Sequence, residues 1–230
     1  MSALSEFLAR VPNLVDHAAV AVAAIGGVLA ARGKQIDLFG VLVLALVTAF
    51  GGGTVRDLMI GDLPVAWLRD LPLVATAAGA TVVTFAVARV CELPRNLLLI
   101  ADAFALALFT TSGAEKALGF EVAPVIAVVM GVITGVAGGI IRDVLTGQIP
   151  LVFQPHIHLY ATAALLGATV FVGLAQVPGL AHASLAIGSA VTLLLRLAAI
   201  RWKLALPVFS HAETRELAPF ARETNSPTKP

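Results

Sequence analysis

The sequence predicts an all-α integral membrane protein of seven transmembrane helices, built as an inverted three-plus-three repeat with a seventh helix added. Three observations lead there: a composition too apolar for water, seven apolar segments long enough to cross a bilayer, and one motif that occurs twice. Of 230 residues, 59% are hydrophobic and 13% charged, with a mean hydropathy of +0.95. A chain of this length cannot hide so many apolar side chains in one water-soluble core, so lipid is its main solvent. The net charge of +1 argues against a nucleic-acid partner. The lone Cys91 excludes an intrachain disulfide. Glu6, Arg10 and Pro12 spoil the basic start and apolar core of a cleavable signal peptide, so the first spanning helix is expected to act as its own insertion signal.

A span needs roughly 17 to 25 mainly apolar residues to cross about 30 Å of hydrocarbon. The first runs from about Leu14 to Ala31, after Pro12 and Asn13, which suit a helix start, and ends at Arg32-Gly33-Lys34. The second begins near Asp37, passes Gly51 to Gly53, and stops at Gly61-Asp62-Leu63-Pro64 after about Ile60. The third lies between Leu71 and Val90, and a Pro94-Arg95-Asn96 turn leads to the fourth, about Leu97 to Leu118. The fifth extends from about Val122 to Leu145 with Pro124 in its first turn, the sixth from about His158 to Ala175, and the seventh from about Ala183 to Ile200. Residues 1–206 then form one transmembrane domain, and the polar, breaker-rich residues 207–230 a surface tail. With the amino terminus outside, Arg32, Lys34, Arg89, Arg95, Arg201 and Lys203 fall on the cytoplasmic side against Arg10, Arg69 and Lys116 outside. That bias predicts amino terminus out and carboxyl terminus in.

The repeated motif is Gly51-Gly52-Gly53-Thr54-Val55-Arg56-Asp57, which returns 86 residues later as Ala137-Gly138-Gly139-Ile140-Ile141-Arg142-Asp143. At the same offset Asp16 matches Asp102, Thr48 matches Thr134, and Ala75-Thr76-Ala77-Ala78 falls on Ala161-Thr162-Ala163-Ala164. Repeat one (about 13–90) and repeat two (about 96–176) each cross three times, so the second enters from the opposite face and the pair is inverted. The seventh helix (about 183–200) is unmatched.

Inverted repeats with interrupted helices in corresponding positions point to a transport site at the repeat interface. Each helical glycine costs about 1 kcal/mol relative to alanine, so Gly51 to Gly53 should loosen the second helix and free carbonyls that lipid cannot satisfy. A charge at the bilayer centre costs about 2.5 to 3.5 kcal/mol, so Arg56, Asp57, Arg142 and Asp143 should face protein or a wet cavity. The packing alternative is that small glycines let helices cross closely while Arg56 pairs with Asp143, and Arg142 with Asp57, across the pseudo-two-fold. Asp16 fits the first turn of a helix, where it complements the dipole; Asp102 sits deeper. Thr110, Thr111, Ser112, Glu115 and Lys116 form the most polar patch of the fourth helix and can line a water path, the hydroxyls alternatively bonding their own backbone. Trp67, Tyr160 and Trp202 are expected as interfacial anchors. No cofactor or metal is expected, since His156 and His158 lack a cysteine or carboxylate cluster. The sequence holds no phosphate loop, nucleophile elbow or zinc helix motif, so permeation ranks above enzyme function.

The paired glycine and Arg-Asp motifs, within seven helices as three plus three plus one, resemble the prokaryotic branch of the trimeric intracellular cation channels over about residues 13 to 203. The resemblance implies a homotrimer in the bacterial inner (plasma) membrane. Each subunit would have its own pore lined by kinked second and fifth helices, passing monovalent cations, potassium first and sodium second. It places Gly51, Gly52, Gly53, Gly138 and Gly139 at the constriction. The polar residues expected along or beside that path are Arg56, Asp57, Arg142, Asp143, Asp16, Asp102, Thr48, Thr134, Ser112 and Lys116. Ala137 stands where the first copy has Gly51, so a milder kink is expected in the second. Animal members carry a Lys-containing first motif tied to phosphoinositide lipid, and that motif is absent here. Similar bacterial sequences are also labelled glycine transporters, which leaves a small-solute carrier as the alternative. On the channel reading, replacing Gly52 and Gly53 by alanine lowers conductance and leaves assembly intact.

Overall fold

A computed structural model describes residues 3–94, 96–154 and 159–203, and for residues 3–13 the backbone alone. Arg95, His156, His158 and the tail from 207 lie outside the described residues, as does the side chain of Arg10. The elements are α1 (Ala3–Ala30), α2 (Leu38–Ile60), a single turn α3 (Ala66–Arg69), α4 (Leu71–Val90), α5 (Leu97–Gly119), α6 (Pro124–Leu145), a 3₁₀ turn (Leu151–Phe153), α7 (Tyr160–Ala175) and α8 (Ala181–Trp202). The described residues contain no strand. Helices suit a chain in lipid because each satisfies its own backbone polar groups. Five of them, α2, α4, α5, α6 and α8, are long and apolar enough to cross a membrane, and Leu14–Ala30 and Tyr160–Ala175 are shorter apolar helices.

Local chemistry sets the boundaries. The Asp37 carboxylate accepts the Gly40 N–H at 2.8 Å and caps α2. The helix ends at Gly61, whose φ of 76° lets its N–H reach back to the Asp57 carbonyl. Asp70 caps α4 through the Leu73 N–H at 3.2 Å, and Pro124 opens α6 where its missing N–H costs nothing. Helix α1 corrects the predicted start: it begins at Ala3, upstream of Pro12. The reason is visible in the sequence, where apolar residues at 4, 7, 8, 11, 14 and 15 keep a helical period and Glu6 and Arg10 lie one turn apart.

Helices α1, α2, α5 and α6 form the centre: α1 packs on α2 and α5, and α6 packs on both α5 and α2. Helix α4 lies against α1 and α2, while α7 and α8 pack on each other and on α5. The interior is built from small side chains, with Ala24, Ala45, Ala103, Ala114, Ala127, Ala164 and Ala168 among those buried. Without a hydrophobic drive between helices in lipid, such residues gain packing by close approach. Large apolar side chains point outward instead, Phe39 at 73%, Val83 at 63% and Val125 at 73% exposure. That distribution is the inverse of a water-soluble bundle and places the protein in a membrane.

Candidate permeation site

The glycine motifs do not interrupt their helices. Helix α2 is continuous through Gly51, Gly52 and Gly53, and α6 through Gly138 and Gly139. In an apolar surrounding a freed carbonyl has no water to turn to, so the hydrogen-bond ladder is retained. The missing side chains are used for approach. A Cβ on Gly52 would collide with the Thr134 carbonyl, and a Cβ on Gly138 would collide with the Thr48 carbonyl. Thr48 and Thr134 are buried and each hydroxyl donates to its own helix, to the Leu44 and Met130 carbonyls at 2.6 Å. Gly53 differs from Gly52, since the nearest atom to a Cβ there is the Arg56 Nη2 at 3.7 Å. A Cβ on Gly51 would meet Ile141 Cδ1 at 3.0 Å, and one on Gly139 the Tyr160 hydroxyl at 3.2 Å and Asp102 Oδ1 at 3.4 Å.

The pairing that the packing alternative gave, across the two motifs, is not the one formed. Arg56 donates through Nε and Nη2 to Asp57 Oδ1, at 2.9 and 2.8 Å. Arg142 Nε donates to Asp143 Oδ1 at 2.8 Å. Each aspartate occupies the last turn of its helix, and the long guanidinium stem curls around to meet it. The second carboxylate oxygen of each then accepts an N–H from the following turn: Ala66 to Asp57 Oδ2 and Leu151 to Asp143 Oδ2, both at 2.9 Å. All four residues are buried, from 1 to 7% exposed.

Around these matching pairs the surroundings differ. At the Asp57 end, Lys116 Nζ reaches Asp57 at 2.8 Å and Asp62 at 2.6 Å, and Arg69 reaches Asp62 at 2.8 Å. The Lys116 ammonium holds the Asp62 carboxyl, beyond the end of α2, below the usual carboxylate range. Beside this cluster lies a cavity of about 390 Å³, whose wall includes Asp16, Phe50, Gly53, Arg56, Trp67, Phe109, Ser112 and Glu115. At the Asp143 end, Asp102 accepts from Arg142 Nη1 at 2.9 Å and lies 4.0 Å from Arg196 Nη2. The Arg196 guanidinium sits 4.6 Å above the Tyr160 ring. The cavity there is only about 10 Å³, room for one water, lined by Thr48, Asp102, Phe109, Thr134, Gly138, Gly139 and Arg142 among others. Phe109 borders both cavities.

Several sequence expectations change place. Asp16 lies in mid-helix because α1 starts early, and it lines the larger cavity instead of capping a dipole. The polar patch of α5 divides: Ser112, Glu115 and Lys116 line that cavity, while Thr110 and Thr111 are fully buried, Thr111 bonding Ser189 at 2.7 Å. Trp202 is 67% exposed, as an interfacial residue would be, but Tyr160 is 5% exposed under Arg196. Trp67 turns inward, its indole donating to Thr54 at 3.1 Å and its ring stacking on Phe50 at 5.6 Å. Sequence reasoning missed Arg196 and Phe109. A charged residue inside an otherwise apolar span was the available signal for the first; nothing distinguished Phe109 from a lipid-facing aromatic. No group of three or more metal-ligating side chains occurs among the described residues.

A family model described as "Glycine transporter" matches residues 13–89 and 99–176. The UPF0126 inner membrane protein YadS of Escherichia coli (strain K12) is 47% identical over 201 residues, covering 85% of this chain and 95% of that protein. A UPF0126 membrane protein of Vibrio cholerae is 42% identical over 200 residues, covering 86% and 82%. Among solved structures, the TRIC trimeric intracellular cation channel orthologue from Rhodobacter sphaeroides is 39% identical with a TM-score of 0.79, covering 85% of this chain and 100% of that one. A prokaryotic TRIC channel crystallised in 0.5 M KCl is 31% identical with a TM-score of 0.77, covering 85% and 98%. At this identity and coverage the chain belongs to the prokaryotic branch of the trimeric intracellular cation channel family.

Proposed function

We propose that the chain is a cation channel of the bacterial inner membrane, passing monovalent cations, potassium first, along one path in each subunit of a homotrimer. The observation that carries this reading is the neutralisation of both arginines. A buried guanidinium beside a path repels cations, and here each is held by the aspartate next to it at 2.8 Å. The path runs between α1, α2, α5 and α6, from the larger cavity past Phe109 to the small one, with the Gly52 and Gly138 crossing as one wall. The family names of the solved relatives support the trimer and the cation. Seven spans in an inverted three-plus-three arrangement with α8 added are supported by reciprocal contacts, Gly52 on Thr134 and Gly138 on Thr48, and by one family model fitting two segments. The Lys and Arg bias puts the larger cavity outside.

Single-channel recording in a planar bilayer under a potassium chloride gradient tests the reading. Unitary steps reversing near the potassium potential are expected, with larger steps in Phe109→Ala. A glycine-dependent flux without unitary steps would overturn it in favour of a carrier. That second reading has its own support: a wide cavity at one end and a one-water cavity at the other is the asymmetry that alternating access requires.

A further inference from the structure

The larger cavity has the composition of a receptor as well as of a passage. Its volume of about 390 Å³ lies in the range of small-molecule sites, roughly 300 to 1,000 Å³. One wall is aromatic: Phe50 and Trp67 stack with centroids 5.6 Å apart and planes 24° apart, and Phe109 adds a third ring. The other wall is ionic, and its charges are unevenly committed. Arg56 and Lys116 are both bound to Asp57, and Lys116 also to Asp62. Asp16 and Glu115 enter the same cavity, and neither forms an ion pair within 4 Å among the described residues. The charged residues around Asp16 are Arg56, Lys116, His17 and Glu115. His17 is held on Thr76 at 2.8 Å. The formal charge of the cavity wall is therefore −1, three carboxylates against two cations.

We propose that this cavity binds small quaternary ammonium ions, the aromatic faces receiving the methylated cation and Asp16 with Glu115 balancing its charge. Aromatic faces attract weakly hydrated organic cations through the ring quadrupole. A divalent metal lacks donors here: two carboxylates and the Ser112 hydroxyl are too few, and no larger ligating group is present among the described residues. An amino-acid zwitterion is also a poorer fit, because its carboxylate would find Arg56 and Lys116 already engaged. Binding is a property of the cavity whether or not the protein conducts.

Trp67 supplies the reporter, since the chain has two tryptophans and Trp202 lies at the far end of α8. In detergent-solubilised Trp202→Phe protein, choline is titrated against its neutral isostere 3,3-dimethyl-1-butanol and against glycine betaine. The expected result is a saturable change in Trp67 emission with choline, with the alcohol and betaine requiring at least 10-fold higher concentrations. Asp16→Asn and, separately, Glu115→Gln should weaken choline and leave the alcohol unchanged, in samples that elute from size exclusion like the parent. Equal responses to choline and the alcohol, an unchanged choline response in the folded carboxylate variants, or no saturable response would overturn the proposal. Because no conduction is measured, failure here is separable from failure of the channel reading.

Discussion

At one end of the molecule Arg56 and Asp57 border a cavity of about 390 Å³ and share Lys116 with Asp62. At the other end Arg142 and Asp143 are 1% and 4% exposed, packed with Asp102, Tyr160 and Arg196 beside a space for one water. The dipeptides make the same internal bond, and the second oxygen of each aspartate accepts an N–H from the next turn. The difference comes from neighbours that do not match at the 86-residue offset. Where α5 offers Ser112, Glu115 and Lys116 to the first site, the corresponding α1 positions are Gly26, Leu29 and Ala30; where α7 offers Tyr160 to the second, α4 has Val74. Arg196 comes from α8. Two copies of one motif can therefore keep an ion pair's geometry while remote helices and a few substitutions decide its solvent.

The largest effects should separate the two aspartates. Asp143→Ala leaves Arg142 with Asp102 alone in a sealed interior and strips the Leu151 N–H of its acceptor, and is expected to cost about 3 to 5 kcal/mol. Asp57→Ala leaves Arg56 and Lys116 beside space that water can enter, and is expected to cost about 1 to 2 kcal/mol. Thermal midpoints of the detergent-solubilised variants measure both; equal losses would break the comparison. Next come the crossing glycines. Gly52→Ala and Gly138→Ala each push a methyl against a backbone carbonyl that cannot swing aside, about 1 to 3 kcal/mol, whereas Gly53→Ala should stay within about 0.5 kcal/mol. A Gly52→Ala protein as stable as Gly53→Ala would show that the carbonyl approach at Gly52 is not what the missing side chain serves.

Smaller effects sharpen the picture of the cavity end. Lys116 is a quarter exposed, so Lys116→Met should lower stability by under about 1 kcal/mol and the loss should shrink in high salt. The smallest effect is the pH dependence of Asp62. Its carboxyl is held below its ordinary value of about 3.9, so its contribution is present above that value and disappears as pH falls through the lower folded value. The midpoint difference between the parent and Asp62→Asn should be constant near pH 6 and narrow only below about pH 4. A difference that narrowed already between pH 6 and 5 would show that the Lys116 bond does not hold the carboxylate.

Much of the architecture was readable in advance because lipid imposes a simple rule: a span needs a sustained apolar run, and Leu71 to Val90 was predicted and found with the same bounds. Asp57 and Asp143 were legible as buried charges for the same reason, since charges in apolar runs are costly and need partners. The partners themselves were not legible. Rotamer choice lets Arg56 curl onto Asp57, where the packing alternative had it reach Asp143. The glycines' effect was misread because the local cost of glycine was visible in sequence, and the contact that offsets it, a carbonyl on another helix, was not.

What the sequence determined by itself was solvent, the positions of the five long apolar helices and the existence of two matched motifs, all of which depend on composition and period along one chain. What only the tertiary structure decided was the use of each motif. Gly52 and Gly138 serve a crossing and not a break, because the opposing Thr134 and Thr48 carbonyls occupy the space a side chain would need. One ionic pair faces a cavity and the other is sealed, because α5 brings Lys116 to the first while α7 and α8 bring Tyr160 and Arg196 to the second. Those neighbours are remote in sequence, and burial of a charge is set by everything packed around it.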